Sequence, residues 1–368
     1  MDDTFRLADT FGPSRIIHIH RPSVGLKAVV VVDNTSCGAA IGGVRMAADV
    51  TVEECFRLAR AMTWKNAAAG LRHGGGKSVI AADPRMPAGD KENLVRAFAG
   101  AIRDIVDYIP GPDMGTNELC MGWVKDETGR AVGLPRAIGG IPLDEIGATG
   151  FGLASCVDVA AGFIGLNLGG ARVVVQGFGA VGKHAARFLA QKGAILVGAS
   201  DFKGTLADPA GLDIAALAKL KEEGGSLRDH PRGENLPGDA VIDIDCDIWI
   251  PAARPDVVNT GNVARLRTRL VAQGANIPCT EQAEQALHRR SILVLPDFIA
   301  NAGGVICAAI EYQGGTEKAA LEYIEERIRT NTRTVLEDAL RKNILPRTAA
   351  LMLAEKRVRE AAATRRWR

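Results

Sequence analysis

The chain has 368 residues, of which 47% are hydrophobic and 24% charged, and its formal net charge is +2. That length exceeds one typical core and suits two domains, and the balance is that of a soluble globular protein. A charge so close to zero leaves no electrostatic footprint for nucleic acid or an anionic membrane, so neither is expected as a partner. Seven cysteines are scattered without a C-x-x-C pair, which points to free thiols in a reducing compartment, by default the cytoplasm. The acidic start, MDDTFRLADT, lacks the apolar core of a signal peptide. No apolar run approaches the length of a bilayer span. The basic end, Thr364–Arg368, reads as a solvated tail.

In chain order, Ile16–His20 is β-branched and reads as a strand, with His18 and His20 on one face. No further ligand follows at suitable spacing, so no metal is expected. Leu26–Asp33 is a buried strand by composition. Gly38–Met46 is glycine-rich and lets backbone approach a ligand. Thr51 with Glu54 has capping-box spacing, and Val52, Cys55, Phe56, Ala59 and Met62 make one apolar helical stripe. The helix leads into Thr63–Ile80, TWKNAAAGLRHGGGKSVI. A triple-glycine turn is expected at Gly74–Gly76, with a strand from Ser78 to Ala82. Lys91–Val106 has helical periodicity. Tyr108–Met114, YIPGPDM, breaks it, and a helix starts near Asn117. Gly139–Gly152 marks a domain crossing.

Lys65 and Lys77 stand 12 positions apart in a small-residue setting. Each cation disfavours the charge on the other, and desolvation acts in the same direction. That suggests an anchor for a carboxylate at one lysine and an acid–base amine at the other. Asp113, in a proline- and glycine-flanked loop, is the carboxylate that would complete a proton-transfer pair. A cap or turn role is its ordinary alternative.

The second half opens with a helical run, Phe151–Ile164. The strand Arg172–Gln176 then runs into Gly177-Phe178-Gly179-Ala180-Val181-Gly182, followed by a helix, Val181–Lys192. A second strand, Ile195–Ser200, ends at Asp201, 24 positions after Gly177. This is the context a dinucleotide fingerprint requires. The glycines and helix N-terminus take the pyrophosphate, and the acid accepts the ribose hydroxyls. Asp201 favours NAD over NADP, while Lys203 can pair with a 2′-phosphate. Gly224–Asp239 reads as an exposed loop. Strands at Asp247–Ile250, Leu270–Gln273 and Ile292–Leu295 join the same sheet. The loops after them carry Ala252, Asn276 and Asn301, which should line the cofactor cleft. Lys318–Arg341 and Arg347–Ala363 are helical.

These motifs together resemble the glutamate, leucine, phenylalanine and valine dehydrogenases. The matching segments are GLKAVVVVD, IGGVRM, MTWKNAAAGLRHGGGKSVI, PGPDMGTNE, GATGFG, QGFGAVG with SD, QGAN and LPDFIANAGGV, in the family's order from about Leu26 to about Tyr312. The resemblance implies an α/β protein of two domains: an N-terminal α/β substrate domain and a Rossmann-like NAD(P)-binding domain, with a cleft between them. We place them at residues 1–135, completed by C-terminal helices at 330–368, and at 145–325. It also implies a homo-oligomer acting on an amino acid, its 2-oxo acid and ammonia. By the same resemblance Lys65 pairs with the substrate α-carboxylate, Lys77 is the catalytic lysine and Asp113 the proton carrier. Gly42 and Gly43 lie beside the substrate, and Thr149 and Asn276 near nicotinamide and substrate.

Glutamate enzymes of this family hold the side-chain carboxylate with a lysine before G-G-x-R and a serine after N-A-G-G-V. Ile41 and Ala308 stand there in this chain. An unpaired buried carboxylate costs several kcal/mol, so glutamate is disfavoured. The expected pocket walls are Ile41, Gly111, Val305 and Ala308. Gly111 and Ala308 leave room for a bulky side chain such as phenylalanine, with leucine or valine as the aliphatic alternative. Competing readings are an NADP-linked glutamate dehydrogenase and a non-catalytic dinucleotide-sensing protein.

Overall fold

The computed structural model describes residues 5–366. The outermost residues of the acidic start and the basic tail, 1–4 and 367–368, lie outside the described residues. The chain divides into two compact units. Met1–Leu143, Val305–Ala320 and Leu351–Arg368 form the first, and Asp144–Gly304 with Leu321–Ala350 forms the second. The C-terminal contribution to the first unit is thus two separate segments. This corrects the expectation of one block at 330–368.

The first unit holds β1 (Arg15–Arg21), β2 (Leu26–Asn34), β3 (Ala40–Ala47), α1 (Val52–Ala68), β4 (Gly74–Ala81), α2 (Ala88–Ala101), β5 (Tyr108–Pro112) and α3 (Glu118–Thr128). Its mixed sheet runs β1-β2-β4-β3-β5. Alternation along β2 sends side chains to two cores. Ala28, Val30 and Val32 pack with Leu94, Val95 and Phe98 of α2 and with Met121 and Val124 of α3. Val31 packs with Cys55 and Ala59 of α1. Thr51 caps α1 by accepting from the Glu54 amide at 3.1 Å.

Two sequence expectations are corrected here. Gly74–Gly76 is the start of strand β4, paired with β2 and β3, and not a turn. The glycines serve close packing: a Cβ on Gly75 would collide with Thr63 of α1, and one on Gly74 with the Asn34 carbonyl. Tyr108–Pro112 is likewise a strand. Pro110 and Pro112 are tolerated because β5 is the sheet's edge, where a missing N–H costs no ladder bond.

The second unit contains α4 (Leu143–Ile146, from its second residue), α5 (Ala148–Phe163), β6 (Arg172–Gln176), α6 (Ala180–Ala190), β7 (Ile195–Asp201), β8 (Gly204–Ala207), α7 (Ile214–Glu222), β9 (Glu234–Leu236), β10 (Ile248–Pro251), β11 (Leu270–Ala272), α8 (Glu281–Arg289), β12 (Leu293–Leu295) and α9 (Asp297–Ala300). The remaining helices are α10 (Gly303–Tyr312), α11 (Glu317–Lys342) and α12 (Pro346–Ala363). The sheet order is β12-β11-β10-β6-β7-β8-β9, with β8 alone running antiparallel to its two neighbours, β7 and β9. The chain leaves β6 toward β7 and later returns on its other side at β10, so a topological switch point lies between β6 and β10. Contrary to the sequence reading, Leu143–Phe163 is long and apolar enough to cross a membrane, but most of it is buried. Its longer part, α5, is a core helix: a Cβ on Gly150 would lie 2.6 Å from the Ala185 amide of α6.

Candidate active site

In the first unit, the side-chain-free start of β4 lets α1 lie directly on the strand. Thr63 overlies Gly75, and Lys65 and Lys77 each lie two residues further on, along α1 and β4. Asn66 fixes this junction by donating to the Gly74 carbonyl at 2.7 Å and the Ile41 carbonyl at 3.4 Å. Lys77 is buried in mid-strand, and its Nζ lies 2.8 Å from Asp113 Oδ2. The bond passes over Gly43, where a Cβ would come within 2.7 Å of Asp113 Cβ and 3.1 Å of Lys77 Nζ. Gly42 is needed for a different reason: a Cβ there would strike the Gly76 carbonyl. The buried Tyr108 hydroxyl, 2.9 Å from both Ser78 Oγ and the Gly42 carbonyl, props this turn of backbone from beneath.

Arg45 was missed by sequence reasoning. Its Nε donates to the same Asp113 oxygen at 2.9 Å, and its Nη1 to Glu54 Oε1 at 2.5 Å. Burial alone would raise the Asp113 carboxyl, but Lys77 and Arg45 outweigh it and hold the group below the ordinary carboxylate range. Only its position, two residues past Gly43 on the same strand, could have marked Arg45 from the sequence. The Asp113 backbone is fixed as well, because its amide donates to Thr116 Oγ1 at 3.0 Å and that hydroxyl donates to the Val44 carbonyl at 2.7 Å.

In the second unit the three fingerprint glycines have three separate jobs. Gly177 has φ +93° and lies against the Ala252–Ala253 backbone, with which a Cβ would clash. A Cβ on Gly182 would collide with the Gly177 carbonyl. Gly179 faces open space and is the N-cap of α6, with no side chain capping the first turn. Ala180 and Val181 begin that helix, so their amides are among those left for an anion. Beside this turn, the Ala252 amide donates to the Gln176 carbonyl at 2.7 Å. Asn301 Nδ2 donates to Asn276 Oδ1 at 3.1 Å, and a Cβ on Gly303 would approach Thr149 Cα at 3.0 Å. Asn276 and Asn301 are therefore joined, and Thr149 lies against Gly303, two residues after Asn301. Asn301 Oδ1 and Gln176 Oε1 are buried acceptors with no partner among the described residues, which fits a bound group that donates hydrogen bonds. Among the described residues no cluster of His, Cys, Asp or Glu could hold a metal ion.

This pairing of a buried lysine–aspartate site with a dinucleotide fingerprint has a counterpart in known proteins. The family model for Glutamate/Leucine/Phenylalanine/Valine dehydrogenase matches residues 139–366, and that for the Glu/Leu/Phe/Val dehydrogenase dimerisation domain matches residues 13–130. The chain belongs to the Glu/Leu/Phe/Val dehydrogenase family. It is an NAD(P)-dependent amino-acid dehydrogenase. It is 38% identical over 359 residues to a glutamate dehydrogenase of Aeropyrum pernix, covering 91% of this chain and 85% of that protein. It is similar in structure to the hetero-hexameric glutamate dehydrogenase of Thermus thermophilus in its Leu bound form, with a TM-score of 0.86 and 29% identity over 95% of this chain and 89% of that one. It is also similar to the L-tryptophan dehydrogenase of Nostoc punctiforme, with a TM-score of 0.75 and 25% identity over 98% of both chains.

Two expectations about this dehydrogenase change. Ile41 and Ala308 do meet, in one cluster with Ile109 and Val132 and the flanking Ala39. Gly111, however, leaves no room: a Cβ there would lie 3.0 Å from Val132 Cγ2, so Val132 fills the space the sequence left open. Val305 is half-buried and outside that cluster, one helical turn before Ala308 on α10. Asp201, expected to accept the ribose hydroxyls, is already satisfied. Its oxygens accept from the Lys203 amide at 2.9 Å, Ser226 Oγ at 3.2 Å, Lys221 Nζ at 2.9 Å and the Leu227 amide at 3.0 Å. With about four lone-pair sites on a carboxylate and a side chain only 5% exposed, no acceptor remains for a ribose. The sequence preference for NAD over NADP loses its ground.

Proposed function

We propose that the chain catalyses reversible, NAD(P)-dependent oxidative deamination of an L-amino acid with an apolar side chain, giving the 2-oxo acid and ammonia. The observation that carries the chemistry is the buried Lys77–Asp113 hydrogen bond of 2.8 Å. When bound, the dinucleotide accepts a hydride from the substrate Cα. Lys65 pairs with the α-carboxylate. Lys77 assists a water attacking the resulting imino carbon and passes the proton across to Asp113, which is ionised at neutral pH and ready to receive it. Asp113 then delivers that proton to the leaving nitrogen. As ammonia departs, the Lys77 amine takes the proton of the carbinolamine hydroxyl, and the ammonium so formed stabilises the new carbonyl oxygen. Thr149, Asn276 and Asn301 orient nicotinamide, and the turn from Gly177 to Gly182 with Ala252 holds the pyrophosphate side.

The side-chain preference rests on the apolar cluster of Ile41, Ile109, Val132 and Ala308. A substrate carboxylate there would lose its water without gaining a partner, at a cost of several kcal/mol. Glutamate is the second reading. The names of the glutamate dehydrogenases the chain is similar to favour it, and on the comparisons alone it is the better supported of the two. Ranking kcat/KM for phenylalanine, leucine, valine, tryptophan and glutamate by absorbance at 340 nm separates them. Glutamate ranking first overturns the apolar reading and leaves the chemistry standing.

Seven free thiols support a reducing location, the cytoplasm. The family model of a dimerisation domain supports a homo-oligomer, which light scattering on the full chain tests.

A further inference from the structure

Among the described residues other than glycine, φ is positive at Asp256, Ile277, Ser291 and Asn343, and only Ile277 is β-branched. At its φ of +50° the branched Cβ crowds the carbonyl that follows, so something must hold the backbone there. Burial of the side chain does not, because Ile277 is 43% exposed. Its amide donates to Asp297 Oδ2 at 2.8 Å, and its carbonyl accepts from the Asp256 amide at 3.0 Å. The residue before it is Asn276, which meets Asn301.

Asp297 is buried and serves both loops of this corner. Its carboxylate takes the Ile277 amide, and its carbonyl accepts from the Asn301 amide at 2.7 Å. Its other carboxylate oxygen, Oδ1, lies 3.0 Å from Arg347 Nη2, near the start of α12. Arg347 is fixed in turn by the buried Glu284 of α8. Its Nε reaches the two Glu284 oxygens at 2.9 and 2.8 Å, and its Nη2 reaches Oε1 at 2.8 Å. Nη2 also donates to Gln273 Oε1 at 2.9 Å, while Gln273 Nε2 donates to Glu284 Oε1 at 2.5 Å. A planar guanidinium fork can serve these partners at once, and a lysine cannot. No step of the deamination uses Arg347, Glu284 or Asp297. Yet two buried carboxylates are kept where apolar side chains often pack with no loss of stability.

We propose that Arg347 is a positioning residue for Asn276. It holds the Asp297 carboxylate, Asp297 holds the Ile277 amide, and the strained Ile277 backbone fixes the direction in which Asn276 leaves the chain. Gln273 bounds the Gly274–Asn276 loop at its other end, so one guanidinium secures the loop from both sides. This role rests on the reading that Asn276 orients nicotinamide, and it adds a residue that touches neither substrate nor cofactor.

The test is a set of variants of the full chain, assayed with the amino acid and the dinucleotide, NAD or NADP, that give the highest rate. Arg347→Lys keeps the charge the two carboxylates need but loses the fork. Its kcat should fall about tenfold or more. Its affinity for 5′-AMP, the half of the dinucleotide remote from nicotinamide, should stay as in the wild type by calorimetry. Adding Ile277→Gly should restore most of the lost kcat, because glycine takes φ +50° without being held. The melting temperature should not recover with it, since glycine adds freedom to the unfolded chain. A merely structural role for Arg347 would leave kcat low along with stability. Should Arg347→Lys not fold, Asp297→Asn, a weaker acceptor of the same shape, must show the same loss and the same recovery. A kcat that does not fall, or that glycine does not restore, refutes the positioning role. Asn276→Ala decides the reading beneath it. An unchanged kcat there removes Asn276 from the site and the role of Arg347 with it, whereas a fall in Asn276→Ala with none in Arg347→Lys refutes the positioning role alone.

Discussion

Arg45→Gln tests whether Asp113 is the group that carries the proton. In the wild type Asp113 Oδ2 receives Lys77 Nζ at 2.8 Å and Arg45 Nε at 2.9 Å. An opposite charge at such range lowers a carboxyl by about 1–3 units. Lys77 remains in the variant, and the Arg45 and Asp113 side chains are 18% and 24% exposed, so solvent screens part of the effect. Removing the guanidinium charge should therefore raise the Asp113 carboxyl, with Lys77 still holding it down. The ionised form is the one that accepts the proton, so the acid limb of kcat/KM should move to higher pH with it. The assay is the initial rate of amino-acid oxidation across acidic and neutral pH, in wild type and variant. Stability moves in the same direction. A carboxyl held low in the folded chain stabilises it above the unfolded pKa, and that contribution is lost as pH falls through the folded value. With the folded value raised, less is contributed, and the variant should acid-unfold at a less acidic pH. A folded, active variant whose acid limb has not moved would refute the role given to Asp113.

Lys77→Ala should lower turnover by about 10³-fold or more while dinucleotide affinity stays near wild type; near-normal turnover removes Lys77 from the chemistry. The pair Ile41→Lys and Ala308→Ser should raise kcat/KM for glutamate and lower it for apolar amino acids, each by about tenfold or more, measured with the same substrate panel. Gly179→Ala has space for its methyl group and should keep its melting temperature but weaken dinucleotide binding. Gly182→Ala meets the Gly177 carbonyl and should cost stability by about 1–3 kcal/mol, read as a lower unfolding midpoint.

The sequence was most legible where one side-chain pattern served one purpose. The strand–glycine–helix unit from Arg172 to Ala190 was read almost to its ends, because buried β-branched residues and the fingerprint agree. Gly74–Gly76 and Tyr108–Pro112 were misread for a shared reason. Glycine and proline usually punctuate turns, but here tertiary neighbours, Thr63 over Gly75 and the outer edge beyond β5, decide their conformation. The short strands β8 and β9 carried too few residues to show a period, whereas α7 and α8 were passed over although Ala283 and Leu287 of α8 recur at helical spacing. In the site, Lys77 and Asp113 could be paired from motif order alone. Arg45, and the three distant donors that occupy Asp201, could not, because they arrive from strands and loops separated in sequence.

The glycine-built start of β4 separates two kinds of freedom. Its first three residues meet their neighbours through backbone, so the strand that presents Lys77 has almost no side chains through which mutation could retune it. The residues facing the apolar cluster, Ile41 and Ala308, are ordinary side chains on β3 and α10, exchangeable in size and polarity. Variation can therefore run through the choice of side chain to be accepted while the placement of the reactive amine stays fixed. A designer seeking a new amino acid for this scaffold should work on β3 and α10 and leave Gly74–Lys77 untouched.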